Sequence, residues 1–120
     1  MKYVVAILEP HFLDPVRQGL DEIGIVAMTV SEVGGSQPDQ VQDAARDAPT
    51  IEPDKAMVRL EVAIPDVLES RAVEVIREMA EMHSVKSGKI FQLTLEDVVR
   101  IRTGETGEVA LGQSVSTNEL

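Results

Sequence analysis

The sequence contains no cysteine and no tryptophan, and aromatic residues make up only 2% of its 120 residues. Without cysteine the chain can form no disulfide framework, no thiolate nucleophile and no cysteine metal site. Hydrophobic residues still supply 43% of the chain, so we expect a core of aliphatic side chains and methionine. A chain of this length fits one domain of ordinary size.

Basic residues are also scarce, with 11 lysines and arginines against 21 acidic residues and a net charge of −10. Such a charge disfavours nucleic acid and anionic lipid as general partners, because phosphate contacts require local cations. No apolar run approaches the roughly 20 residues of a membrane span, and no signal-peptide pattern precedes Tyr3. We therefore expect a soluble, cytoplasmic protein in which any phosphate ligand is held by a local basic cluster.

The first half of the chain predicts a strand, a helix and a second strand. Tyr3–Leu8 is apolar at every position, which is typical of a strand buried on both faces. Asp14 followed by Pro15 predicts a capped helix start, and Gly24 predicts its end. Ile25–Val33 then alternates as a second strand. The apolar stripe of the helix consists of Leu13, Val16, Leu20 and Ile23.

Ser36–Lys55 loses all periodicity and carries three prolines and five carboxylates. A loop of this length is usually functional or mobile, and we expect it to order only on a partner or ligand. Ala56–Ile64 then predicts a third strand, and Pro65 with Asp66 begins a second helix. The apolar stripe of this helix consists of Leu68, Ala72, Val75, Ile76, Met79 and Met82.

Lys86 to Glu105 is the segment with the clearest ligand chemistry. It begins with a small lysine-bearing turn and continues as a strand in which alternate residues from Phe91 share a face. We expect a second short strand on which Arg100 and Arg102 share a face. Backbone N–H groups, a lysine and two convergent arginines suit a phosphate chain. The alternative is a surface hairpin whose cations are merely solvated.

The element order β-α-β-loop-β-α-β predicts a ferredoxin-like α+β fold. Helices cover one face of such a sheet, and the apolar first strand needs cover on the other, which we expect from another subunit. His11 and His83 lack paired metal spacing, so we expect no metal site. We name no catalytic residue and expect no enzyme, because no nucleophile-base pair is recognisable. After Thr103 we expect a partly ordered tail.

Two stretches carry a family resemblance: A-I-L-E-P-H-F-L-D-P-V-R-Q-G-L-D-E-I-G-I-V-A-M-T-V-S-E-V near the start, and G-K-I-F followed by R-I-R-T-G-E. They resemble the PII signal-transduction family, which implies a ferredoxin-like homotrimer with adenine nucleotides (ATP, ADP or AMP) in the clefts between subunits. It also implies a mobile T-loop that regulates a transporter or metabolic enzyme. The family domain would span 1–105, with the T-loop at about 36–55, a short B-loop at about 83–89 and a tail at 106–120.

Carried over by position, the resemblance implies a nucleotide site with four parts. The adenine pocket would consist of Ala27, Met28, Thr29, Glu61, Val62 and Ala63. The B-loop would contribute Lys86, Ser87, Gly88 and Lys89, and the adjoining subunit would contribute Arg100 and Arg102. The base of the T-loop would contribute Gly35, Ser36 and Gln37.

The sequence departs from the family at the anion site. Met57 stands where typical members have the lysine that meets 2-oxoglutarate, and the T-loop lacks the tyrosine that is uridylylated. Gln37-Pro38-Asp39 replaces the family's glycine-arginine-glutamine. We therefore expect nucleotide binding without standard 2-oxoglutarate sensing, as in the divergent PII-like proteins associated with carboxysomes and bicarbonate transport. Bicarbonate is then the candidate second effector, and a role for Mg²⁺ is left open.

Two alternatives remain at this point. One is an ordinary nitrogen-regulatory PII protein that senses ATP, ADP and 2-oxoglutarate. The other is a structural or metal-tolerance ferredoxin-like trimer with no nucleotide role. A structural or metal-tolerance trimer does not explain why R-I-R-T-G-E follows G-K-I-F in this sequence.

Overall fold

A computed structural model describes residues 1–34 and 56–112. The predicted T-loop, with Gly35, Ser36 and Gln37, and the tail from residue 113 lie outside the described residues. The strands and helices are β1 (Lys2–Leu8), α1 (Leu13–Glu22), β2 (Thr29–Val33), β3 (Met57–Ile64), α2 (Glu69–Met82) and β4 (Lys89–Thr94). Short 3₁₀ turns lie at Pro10–Phe12, Asp66–Leu68 and Gly107–Leu111.

The four strands form one sheet in the order β2-β3-β1-β4, and every neighbouring pair is antiparallel. With the two helices this confirms the predicted ferredoxin-like α+β fold. The register sets Val5 of β1 opposite Glu61 on one side and Phe91 on the other. The central strands therefore fix which side chains of the two outer strands share a face.

The helices cover one face of the sheet and enclose the core. Alternate residues of β3 from Val58 to Ile64 are at most 7% exposed, which confirms the predicted alternation. Both helices turn their apolar stripes onto this face. Met82 is the exception, because it is the last residue of α2 and is 70% exposed.

The other face of the sheet, which we call the open face, is covered by neither α1 nor α2, and within the described ranges the turn Gly107–Leu111 contacts β3. It carries Tyr3, Val5 and Ile7 of β1, which are half-buried, and Phe91 and Leu93 of β4, which are 48% and 49% exposed. The prediction that the first strand is buried on both faces thus holds for only one face of the isolated chain.

The first helix begins at Leu13, two residues before the predicted first helical residue Pro15, and Asp14 is not its N-cap. The turn Pro10–Phe12 leads directly into α1, and the residue in the N-cap position is Phe12. Pro15 lies in the first turn of the helix, where its missing N–H group is tolerated. Gly24 ends the helix as predicted, with a φ of +93°.

The second strand is shorter than predicted and begins at Thr29 instead of Ile25. The Ile25 N–H group donates to the Leu20 carbonyl oxygen at 2.9 Å, and the Ile25 side chain is fully buried. Ile25 therefore completes the end of α1, and the chain reaches β3 only from Thr29 onward.

The prediction of a short strand after β4, with Arg100 and Arg102 on one face, is wrong. An isolated bridge joins Val99 to Thr106, and the Gly104 N–H group donates to the Arg100 carbonyl oxygen at 2.8 Å. These local bonds close a turn, so the backbone does not extend. The chain then folds back, with Ala110 and Leu111 both 7% exposed.

Within residues 1–34 and 56–112, none of the helices has the length and the apolar character needed to span a membrane. The same residues hold no group of three or more histidine, aspartate or glutamate side chains arranged to bind a metal ion.

Candidate functional site

The B-loop joins α2 to β4 and lies against the end of β1. Gly88 has a φ of +131°, and a Cβ atom there would stand 2.5 Å from the Ile7 carbonyl oxygen. Only glycine fits this close backbone approach. Lys89 follows as the first residue of β4, opposite Ile7 in the sheet.

A carboxylate that the sequence did not single out holds the B-loop. Glu9 Oε2 accepts hydrogen bonds from the Lys86 N–H group at 3.1 Å, the Ser87 N–H group at 2.9 Å and Ser87 Oγ at 2.8 Å. Two successive backbone N–H groups that converge on one oxygen form an anion-binding nest. Glu9 follows β1 directly, and the antiparallel pairing of β1 with β4 brings it to this loop.

The hydrogen bonds also set the ionisation of Glu9. Burial acts to raise the pKa of the Glu9 carboxyl, but the hydrogen bonds from Ser87 and Lys86 outweigh it and lower the pKa below its ordinary value. His11 Nε2 lies 3.7 Å from Glu9 Oε1. At neutral pH the nest therefore holds a full negative charge.

A groove of about 440 Å³ runs beside the B-loop. Its lining combines apolar core residues, among them Leu8, Phe12 and Ile76, with all four B-loop residues predicted to meet the ligand. These four are Lys86, Ser87, Gly88 and Lys89. Neither predicted arginine lines this groove. The groove lies between the B-loop and α2, on the helix-covered side of the sheet and not on the open face.

The predicted adenine-pocket residues divide between two environments. Thr29 lies opposite Glu61 in the sheet, and both are on the open face with Ala63. Val62 points into the core and is 3% exposed. Ala27 precedes β2 and is exposed.

Met28 is half-buried and lines a separate surface hollow beside α1. The structure therefore brings Thr29, Glu61 and Ala63 together and leaves Met28 apart from them.

Glu61 also affects the neighbouring Tyr3. Burial is the largest cause that raises the pKa of Tyr3, and the hydrogen bond and negative charge of Glu61 raise it further. Glu61 is half-buried and carries an acceptor on the open face. Such an acceptor suits the amino or hydroxyl groups of a ligand.

The two predicted arginines lie at the turn beyond β4. Arg100 Nε is 3.4 Å from the Ala110 carbonyl oxygen and 3.6 Å from Glu105 Oε1, and 45% of its side chain is exposed. Arg102 is exposed in the same turn. An exposed ion pair such as that of Arg100 with Glu105 contributes little to stability.

Together, the antiparallel sheet and its two helices define a small ferredoxin-like domain, in which Glu9 at the end of β1 holds the B-loop between α2 and β4. The family model described as "Nitrogen regulatory protein P-II" matches residues 1–105. The chain belongs to the P-II family and is a signalling protein of that family, whose members are regulatory proteins.

Individual relatives agree with this assignment. The nitrogen regulatory proteins P-II of Haemophilus influenzae and Azospirillum brasilense are each 38% identical over 112 residues, covering 92% of this chain and all of the relative. Among solved structures, Arabidopsis thaliana PII bound to citrate matches with a TM-score of 0.71 and 33% identity. This match covers 92% of the present chain and 88% of the Arabidopsis chain.

Proposed function

We propose that this protein binds adenine nucleotides in the clefts of a homotrimer and regulates a transporter or metabolic enzyme through its T-loop. The observation that carries the proposal is the B-loop. Its backbone N–H groups already form an anion nest, Gly88 is fixed against β1, and Lys86 and Lys89 add two cations beside them. Membership of the family over residues 1–105 supports the same function.

The open face supports the trimer. Phe91 and Leu93 are each about half exposed, and Tyr3, Val5 and Ile7 add further apolar surface to the same patch. A contiguous apolar surface on a small protein marks an interface, and copies of the same chain are the simplest cover for it. Arg100 and Arg102 would then reach the phosphates of a nucleotide held by the B-loop of the neighbouring subunit.

Calorimetry with ATP, ADP and AMP tests the nucleotide site. We expect Lys89→Ala and Arg100→Ala each to weaken binding by about 1.5–3 kcal/mol, the scale of one charge-assisted hydrogen bond. Arg71→Ala is the matched control, because Arg71 lies on α2 and pairs with Glu74 at 2.7 Å. Equal affinities in wild type and both site variants would contradict the assignment.

The same titrations, repeated with a second anion, test the effector. We propose that 2-oxoglutarate does not enhance ATP binding and that bicarbonate alters ADP or AMP binding. The supporting observation is Met57, which is 6% exposed at the start of β3 and offers no charge to a dicarboxylate. The Arabidopsis relative is bound to citrate, which makes a small anion a reasonable ligand to test. A strong 2-oxoglutarate effect would support ordinary nitrogen sensing instead.

A further inference from the structure

The nest of the B-loop is occupied by a side chain of the same chain. Three donors from Lys86 and Ser87 meet a single oxygen of Glu9 at 2.8–3.1 Å. A carboxylate oxygen and a phosphate oxygen present the same chemistry to such donors: each is an anion that accepts charge-assisted hydrogen bonds. The donors that could meet a phosphate oxygen are therefore already bonded to the Glu9 carboxylate.

The donors cannot serve both anions fully. Each backbone N–H group has one hydrogen to donate, and both backbone donors are already directed at Glu9. A phosphate that approaches the nest also meets the negative charge of Glu9 at short range, in a partly desolvated site. Binding must therefore break these bonds and displace the carboxylate, or leave the nest unused.

We propose that Glu9 is an internal competitor of the nucleotide phosphates, and that its carboxylate lowers the affinity of the cleft for them by occupying the Lys86 and Ser87 donors. This inference rests on the proposed nucleotide function and names the residue that regulates that site.

Glu9→Gln tests the proposal by calorimetry with ATP and adenosine. Glutamine keeps an oxygen that accepts hydrogen bonds but loses the charge, so it holds the loop more weakly and does not repel phosphate. We expect ATP to bind roughly tenfold more tightly, which corresponds to one charge-assisted interaction. Adenosine affinity should change by less than about twofold, because adenosine carries no phosphate to compete with Glu9.

Glu22→Gln is the matched control, since it removes one negative charge from an exposed position at the end of α1. It should leave ATP affinity unchanged, which separates a local effect from the general field of the protein. Glu9→Asp keeps the charge on a shorter side chain and should tighten ATP binding by less than Glu9→Gln.

The outcomes separate this inference from the proposed function. If wild type binds ATP and Glu9→Gln binds it equally or more weakly, Glu9 only positions the loop, and the inference is overturned while nucleotide binding stands. If neither protein binds ATP, the proposed function fails and the inference fails with it. Binding by the variant alone supports both.

A second measurement does not depend on how the variant folds. In wild-type protein labelled with ¹³C and ¹⁵N, saturating ATP should shift the Glu9 carboxyl carbon together with the Lys86 and Ser87 amides. An unchanged Glu9 carboxyl signal at saturation would overturn the inference.

Discussion

At the scale of single residues, Gly88 leaves the least room for change. Its φ of +131° is one that L-residues rarely adopt, and a Cβ atom would meet the backbone of Ile7 at 2.5 Å. An alanine at position 88 would add the backbone strain of this φ to the clash with Ile7. The clash cannot be relieved by moving a side chain, because the atom that the Cβ meets belongs to the backbone. The geometry of the B-loop therefore depends on this one glycine.

We expect Gly88→Ala to destabilise the protein by about 2–3 kcal/mol, measured by urea unfolding. Gly24→Ala is the matched control, because Gly24 also has a positive φ, +93°, but a Cβ atom there meets nothing within 4 Å. It should cost about 1 kcal/mol, from backbone strain alone. Equal losses in the two variants would show that the contact with Ile7 does not matter.

The sequence indicated some of these residues and missed others for a physical reason. Gly88 and Lys89 stand in a motif, so a local pattern was enough to single them out. Glu9 is one of 21 acidic residues, and its partner Lys86 lies 77 positions away. Only the pairing of β1 with β4 brings the two together. No pattern of neighbouring residues in the sequence predicts a contact between positions so far apart.

At the scale of elements, periodic apolar patterns predicted the strands and helices correctly, whereas the positions of the turns were predicted less well. The alternation in β3 and the stripes on both helices predicted the core, because burial of one face dictates the spacing of apolar residues. The prediction of a strand around Arg100 was wrong, because its alternating residues are arginines that need no burial. The hydrogen bond from the Gly104 N–H group to the Arg100 carbonyl oxygen favours a turn there. The predicted start of α1 was wrong because the turn at Pro10–Phe12 leads directly into the helix.

The packing of α1 on α2 depends on a glycine inside α1. A Cβ atom at Gly19 would lie 2.7 Å from Val75 Cγ1, and valine has little rotamer freedom to move away. Helix propensity favours alanine by up to about 1 kcal/mol, but overpacking in a core costs about 1–3 kcal/mol. The packing effect is the larger one, so glycine is the better residue here.

We expect Gly19→Ala to destabilise the protein by about 1–2 kcal/mol in urea unfolding. Val75→Ala should also destabilise it, because it leaves a cavity in the core. In the double variant the new methyl group occupies the space that Val75 vacates, so its loss should be at least about 1 kcal/mol smaller than the sum of the two single losses. Simple additivity would show that the two positions do not interact.

At the scale of the whole molecule, the open face is the interface of the proposed trimer. We expect Phe91→Asp to convert the proposed trimer to monomers, because a carboxylate at that position cannot be desolvated against another subunit. Light scattering coupled to size exclusion measures this directly. Val67→Asp is the control, since Val67 is 85% exposed outside the sheet and should leave the trimer intact. A wild-type protein that runs as a monomer would contradict the trimer itself.

The family was predicted from the sequence and is confirmed over residues 1–105, and the predicted fold is confirmed in the residues that the structure describes. The individual ligand contacts remain predictions. Those at Gly35, Ser36 and Gln37 lie outside the described residues, and in the proposed trimer those at Arg100 and Arg102 are made to a nucleotide held by a neighbouring subunit. A contact between subunits leaves no pattern of neighbouring residues in the sequence of one chain.

The half-exposed side chains of β4 have a thermodynamic consequence for the folded protein. If only sister copies shield them, folding and assembly share one equilibrium, and the melting temperature rises with protein concentration by mass action. Dilution would then expose apolar surface and loosen the ligand clefts at the same time.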